Sequence, residues 1–227
     1  MFRLGEGWQV GTSAKPRVGR PSSKDAGEVD ARILRAATDV FLARGYDGAT
    51  FEAIAAAAGA SKATLYARYP GKPDLFAAVI RANVEVALVP AADVPGDLPL
   101  RERLTRAGRA VISEAMAPVP LALMRLFIAE APRQRDLIRE ADALGRRAGI
   151  RRIAEAIAGP DRDDPAAVAR AEPAAAQFIN LAFVPHQMRA LLGDEAADLR
   201  KDLEGRIAVA IDALEAAGLV PTRSDGT

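Results

Sequence analysis

The sequence predicts an all-α chain. Three observations lead there: apolar residues recur at threes and fours from Asp25 onward, β-branched residues never alternate with polar ones over a useful length, and Ala, Leu, Arg and Glu dominate between the prolines. The prolines at 90, 95, 99, 118, 120, 132, 160 and 165 punctuate the helical stretches.

The elements follow in order. Residues 1–24 are rich in Gly, Pro, Ser and Thr without an apolar period and are expected to form a disordered arm, made basic by Lys15, Arg17, Arg20 and Lys24. The first helix starts at Asp25, with Glu28 and Asp30 also in place for the positive end of the helix dipole; Ile33, Ala37, Val40 and Phe41 form its stripe and Gly45 is expected to end it in a left-handed cap. Thr50 caps a second helix whose inner face is Phe51, Ile54, Ala55 and Ala58, ending at Gly59. Ser61 caps a third, with Leu65, Tyr66 and Tyr69 along one side, ended by Pro70-Gly71, and a fourth runs from Pro73 to Pro90. Beyond it, helices are expected over 99–117, 120–131, 133–158, 165–192 with interruptions at Pro173 and Pro185, and 195–217.

Composition narrows the chemistry. The 227 residues carry 31 basic and 30 acidic side chains, no cysteine and one histidine, His186. Disulfides, cysteine nucleophiles and thiolate metal sites are excluded, as is a multi-histidine metal centre. No cofactor and no metal site is expected. No apolar run approaches the ~20 residues of a membrane span, and the first residues do not read as a secretory signal, so no membrane partner and a cytoplasmic location are expected. Near-zero net charge says nothing about local clustering, which is what sets a nucleic-acid footprint.

Residues 50–69, TFEAIAAAAGASKATLYARY, place two short helices around a Gly-containing turn, the second opened by a serine cap. Ala55 and Ala56 keep the first helix slim, so Ile54 and Leu65 can meet across the turn. The second helix offers Lys62, Thr64 and Arg68, with small Ala63 and Ala67 leaving its backbone open, a composition that suits entry into a major groove about 12 Å wide. Lys72 adds a cation beside the N-terminus of the next helix, where free N–H groups favour phosphate. The spacing alone is shared by many helical proteins with glycine turns, and it leaves DNA binding and a structural corner both open.

The stretch Ile33–Leu75 resembles the N-terminal domain of TetR-family transcriptional regulators. The features that carry the resemblance are Ile-Leu-x-Ala-Ala with Phe and Gly in the first helix, Thr50, Ala-x-x-Ala-Gly-x-Ser-Lys through the turn, Thr-Leu-Tyr in the third helix, and Tyr69 followed by Lys72 and Leu75. It implies that Lys62, Ala63, Thr64 and Arg68 face the major groove while Thr50, Tyr66, Tyr69 and Lys72 hold the backbone. Ala63 stands where the family often has Gly, and Ala67 and Arg68 lie at variable positions, so the operator cannot be copied from a relative. The implied architecture is a three-helix helix–turn–helix DNA-binding domain over residues 25–89, including the linking fourth helix, then a helical ligand-binding and dimerisation domain over 90–227. The implied function is a dimeric regulator, expected to repress, that binds a palindromic double-stranded DNA operator and is released by an unidentified small-molecule effector. Two readings stand for the basic arm: a solvated tail and a minor-groove contact.

The last helix places Leu199, Leu203, Ile207, Ile211 and Leu214 in one stripe, which either closes the chain's own core or meets a partner. The resemblance favours a homodimer interface, with Phe178 and Leu181 of the preceding helix as companions. It also implies a ligand cavity, for which Met116, Leu123, Met124, Phe127, Phe178, Phe183 and His186 are the candidate walls, with Arg125, Glu130, Gln177 or Asn180 to orient a polar group. The alternative for these residues is ordinary packed core. Two rival functions are an effector-independent architectural DNA-binding protein and an all-helical enzyme. The enzyme reading has little support, because Asp161-Arg162-Asp163-Asp164 lacks the Gly and closing Glu of a calcium loop, Glu130 has no partner constellation, and no catalytic residues are expected.

Overall fold

The structure is a computed structural model that describes residues 23–92 and 94–221. Eleven α-helices and one 3-10 turn follow one another, with no strand among the described residues. They are α1 (Ser23–Gly48), α2 (Phe51–Ala58), α3 (Lys62–Arg68), α4 (Lys72–Ala92), α5 (Leu100–Ala115), α6 (Pro118–Glu130), α7 (Arg135–Ala158), α8 (Pro165–Ala182), α9 (Val184–Leu191), α10 (Ala196–Lys201) and α11 (Leu203–Ala216). The 3-10 turn, Gly159–Asp161, joins α7 to the loop before α8. The expected basic arm lies outside the described residues apart from Ser23 and Lys24, which open α1.

Local chemistry sets the boundaries of the first three helices. The Thr50 hydroxyl accepts from Ala53 N–H at 3.2 Å, and Ser61 Oγ accepts from Thr64 N–H at 3.0 Å. Gly59, left-handed at φ 59°, turns its N–H back to the last carbonyls of α2. Gly45 departs from expectation. Its φ of 69° is positive, but its ψ is 177°, so it kinks the chain and helical bonding resumes to Gly48. Arg32 of α1 closes the same C-terminal end of α2, donating from Nε to Ala58 O at 2.9 Å.

Three further boundaries differ from the sequence reading. Pro173 does not interrupt α8; it and Ala169, whose carbonyl loses its helical partner, both lie on the exposed face. The break comes at Phe183, ahead of Pro185 in the first turn of α9. Pro185 cannot donate to the Leu181 carbonyl, which instead accepts from Arg206 Nη2 at 3.3 Å. The single helix expected over 195–217 is two, α10 and α11, divided at Asp202.

Two apolar clusters result. One joins α5, α7 and α8 to α10 and α11, around Leu104, Ile112, Ile153, Phe178 and Ile207. The other holds α1–α4 together around Ile33, Phe41, Ile54, Leu65 and Phe76, and it extends into Leu123 and Phe127 of α6 and Ile138 and Ala141 of α7. The helix–turn–helix therefore shares a core with the helices that follow it. Phe127 meets Phe76 edge-on at 5.9 Å, and Phe76 meets Phe41 the same way at 5.0 Å.

Candidate nucleic-acid interface and adjoining cavity

α2 and α3 cross with Ile54 and Leu65 fully buried between them, as their spacing requires. The outer side of α3 presents Lys62, Ala63, Tyr66 and Ala67 to solvent, with Thr64 and Arg68 half-buried beside them. Tyr66 stacks on Phe51 at 4.6 Å, which fixes its ring while leaving it half exposed. Tyr69 is half-buried; loss of water raises its phenol pKa above the ordinary value, and the nearby Asp30 charge adds to this.

The two cations of the recognition helix are both held by acids of this chain. Lys62 pairs with Glu52 of α2, which raises the lysine pKa and lowers that of the carboxylate through their hydrogen bond. Arg68 Nε pairs with Asp30 Oδ1 of α1 at 2.6 Å. Thr64 Oγ1 lies 2.8 Å from Ser61 Oγ. The surface carries its cations where the sequence puts them, but each is partnered.

Lys72, the expected backbone contact at the start of α4, is partnered as well. Its ammonium donates to the carbonyls of Tyr46 and Asp47, at 2.9 and 3.1 Å, and sits 4.8 Å over the Tyr46 ring. It closes the end of α1 after the Gly45 kink, so its ammonium is held by this chain's own carbonyls beside the N-terminus of α4. Burial, followed by the charges of Asp47, Asp74 and Glu130, raises the Tyr46 phenol pKa.

Behind the helix–turn–helix, α4 to α9 enclose a cavity of about 290 Å³. Of the expected walls, Leu123, Met124, Phe127 and Phe183 line it, and so does Asn180. Three do not. Met116 is fully buried in the core, and Phe178 packs on Gly108, where an added Cβ would stand 2.6 Å from its Cζ. His186 is buried beside Leu199 and Arg206, with neither ring nitrogen hydrogen-bonded, and burial lowers its pKa. Arg125 and Glu130 also lie elsewhere: Arg125 ties α6 to α9 through Ala190 O at 2.8 Å, and Glu130 is buried next to Gly45. Gln177 faces solvent, while Gln187 lines the cavity in its stead.

The sequence reading missed the walls from α4 and α7. Ile80, Asn83 and Val84 come from α4; Ala141, Gly145 and Gly149 come from α7. The signal was present, since these three small residues recur every four positions on one helix face, and the glycines bring α7 close to Val84 and Val111. The lining is mostly apolar, with the neutral amides of Asn83, Asn180 and Gln187, and the Arg146–Asp142 pair at 3.6 Å is largely solvent-exposed. Asn83 Nδ2 is engaged by Val79 O at 2.8 Å and Thr38 Oγ1 at 3.3 Å, which leaves its carbonyl oxygen to accept.

The residues expected to form an interface stripe point inward in this chain. Leu199, Leu203, Ile207, Ile211 and Leu214 are at most 6% exposed, as is Phe178, so they close the chain's own core. Of the predicted interface residues only Leu181 is exposed. No single helix among the described residues is long and apolar enough to cross a membrane. Asp164, of the acidic run 161–164, caps α8 by accepting from Ala166 N–H at 2.9 Å.

Comparison with known proteins agrees with this geometry. Residues 33–79 match the family model named bacterial regulatory proteins, tetR family, and residues 102–217 match that named AefR-like transcriptional repressor, C-terminal domain. An 85-residue stretch is 34% identical to an uncharacterized HTH-type transcriptional regulator of Mycobacterium tuberculosis, covering 37% of this chain and 40% of that protein. The flavonoid-responsive regulator FrrA superposes with a TM-score of 0.61 at 28% identity, over 84% of this chain and 97% of that one. A TetR-like transcriptional regulator from Rhodococcus sp. RHA1 gives 0.52 at 25% identity, over 81% and 96%. With the second family model spanning half the chain and the first lying on the helix–turn–helix, this protein belongs to the TetR family of transcriptional regulators, which bind DNA and are not enzymes.

Proposed function

We propose that the chain acts as a homodimeric repressor that binds an inverted-repeat operator and leaves it when a small molecule fills the cavity behind the helix–turn–helix. One observation carries the reading: Ile80, Leu123, Phe127 and Ala141 line the cavity and also belong to the cluster that holds α1–α4 together. A ligand that prefers one arrangement of those walls shifts the seating of the DNA-binding helices, by no more than its differential affinity for the two states. On this reading, residues 25–89 bind DNA and 90–227 bind effector and partner. Lys62, Ala63, Thr64 and Arg68 enter the groove, and Thr50, Tyr66, Tyr69 and Lys72 hold the backbone. The protein works in the cytoplasm, where its DNA is.

FrrA is flavonoid-responsive, and a planar phenolic ligand suits a mainly apolar cavity edged by three neutral amides. The name of the C-terminal family model supports repression. Dimerisation is assigned to exposed apolar side chains in place of the buried stripe: Leu181, Val184, Met188 and Leu192 along α8 and α9, with Val209 of α11. Footprinting on the DNA upstream of the protein's own gene tests the reading. A discrete protected palindrome, with half-sites about one helical turn apart or a multiple of it, that is lost on adding a flavonoid supports it. Uniform protection without sequence preference and without release supports an architectural binder and overturns it.

A further inference from the structure

A second cleft, of about 320 Å³, lies at the far end of α4 from the recognition helix. α4 has 21 residues, so some 30 Å separates its two ends. The cleft is enclosed by the loop 94–99, the first turn of α5, the last turns of α7 and the connection into α8. Four guanidiniums line it, those of Arg103, Arg151, Arg152 and Arg162, against only two carboxylates, Glu155 and Asp163.

The four cations are not equally neutralised. Glu155 is shared, by Arg151 at 3.1 Å and Arg152 at 2.8 Å. Arg103 donates only to backbone carbonyls: Nε to Ala156 at 2.7 Å, Nη2 to Ile157 at 3.2 Å and Nη1 to Leu98. Arg162 likewise donates from Nη1 to Val94 O at 2.7 Å. Neither forms an ion pair among the described residues. Carbonyls orient a guanidinium but do not cancel its charge, and burial lowers the Arg103 pKa with no carboxylate to oppose it. The floor is rigid backbone. A Cβ on Gly96 would stand 2.7 Å from the Gly159 carbonyl oxygen, and one on Gly159, itself at φ 61°, would stand 2.6 Å from Arg103 Cζ.

A preformed concavity, two guanidiniums pinned without counter-charge and two more at its rim make an anion receptor. We propose that this cleft binds a small phosphorylated metabolite, whose phosphate bridges Arg103 and Arg162 while Arg151 closes over it. Two of the four carbonyls that orient those arginines, Val94 and Leu98, belong to the loop ahead of α5, and the other two, Ala156 and Ile157, to the end of α7. A bound phosphate therefore braces the segment through which α4 continues into α5. The site is separate from the apolar cavity, and nothing in its argument depends on what fills that cavity.

The test is calorimetric titration of the full-length protein with inorganic pyrophosphate at constant ionic strength. Saturable binding of one ligand per chain is expected, weakened about tenfold or more in Arg162→Gln and in Arg151→Gln. Both side chains are exposed, so neither variant is expected to unfold, and circular dichroism verifies this. Arg146→Gln, at the other cavity, should bind as the unmodified protein does. Tighter binding of a nucleoside diphosphate than of pyrophosphate identifies a nucleotide as the source of the phosphate; equal binding assigns recognition to the phosphate alone. Absence of saturation up to about 5 mM pyrophosphate, or equal weakening in Arg146→Gln, overturns the proposal.

Discussion

The Arg68–Asp30 pair governs how the recognition helix responds to salt. Arg68 Nε lies 2.6 Å from Asp30 Oδ1, and both side chains are partly exposed. A pair of this kind contributes less than ~1 kcal/mol to folding, so Asp30→Asn should leave the protein folded. Its effect on DNA binding is larger. The change removes one negative charge per protomer from the DNA-facing side and releases a guanidinium, which is two charges per dimer. Each additional phosphate neutralised steepens the dependence of log K on log salt by about 0.9, so the variant's slope should be more negative by about 1.8. Its advantage over the unmodified protein at 50 mM salt should therefore shrink about twelvefold by 200 mM. The assay is fluorescence anisotropy of labelled duplexes across a salt series. Asp212→Asn is the control, because it makes the same charge change at the Arg101–Asp212 pair between α5 and α11, remote from α3. Parallel salt plots for Asp30→Asn and the unmodified protein would refute the reasoning.

Four further outcomes are expected. Gly108→Ala should cost about 1–3 kcal/mol in urea unfolding, because the new Cβ would lie 2.6 Å from Phe178 Cζ and Phe178 is fully buried. Thr50→Ala should cost about 1 kcal/mol by removing the cap on α2, and the loss should appear in the same unfolding curves. His186 is held neutral by burial, with Arg206, Asp202 and Arg189 nearby, so its folded pKa is depressed below its unfolded one. The unfolded chain then binds the proton more readily, and stability should fall as pH drops below about 6.5. In His186→Leu that contribution should vanish from a melting series between pH 5 and 7. Lys72→Ala should destabilise the end of α1 and broaden the amide signals of Tyr46 and Asp47, with a smaller change in salt slope than Asp30→Asn.

The helix–turn–helix was legible because its determinants are local. Thr50, Ser61 and Gly59 each act on backbone groups within four residues, and the buried face of α2 is the one its spacing marks. The partners of Lys72 were not legible, because the carbonyls of Tyr46 and Asp47 are some 25 residues away and are brought to it only once Gly45 has kinked α1. The stripe Leu199 to Leu214 shows that one face of the last helices is buried; periodicity cannot say whether the same chain or a second copy buries it. The cavity followed the same rule. Large residues suggest walls in the sequence, yet Met116 and Phe178 fill space, and Gly145 and Gly149 help to leave it. Pro173 and Pro185 were treated alike, although Pro173 sits on an exposed face and Pro185 coincides with a chain break at Phe183.

The central claim is that the cavity and the DNA-binding surface share one core and are therefore coupled. The most direct measurement is the affinity of a cavity ligand, a flavonoid that releases the upstream DNA, determined with the protein free and with it saturated by that DNA. Coupling is reciprocal: the factor by which the ligand weakens DNA binding must equal the factor by which DNA weakens ligand binding, and at about 1–3 kcal/mol both should lie between roughly 5-fold and 150-fold. Equal ligand affinity in the presence and absence of DNA would contradict the account, because the shared Phe127–Phe76 core would then transmit nothing.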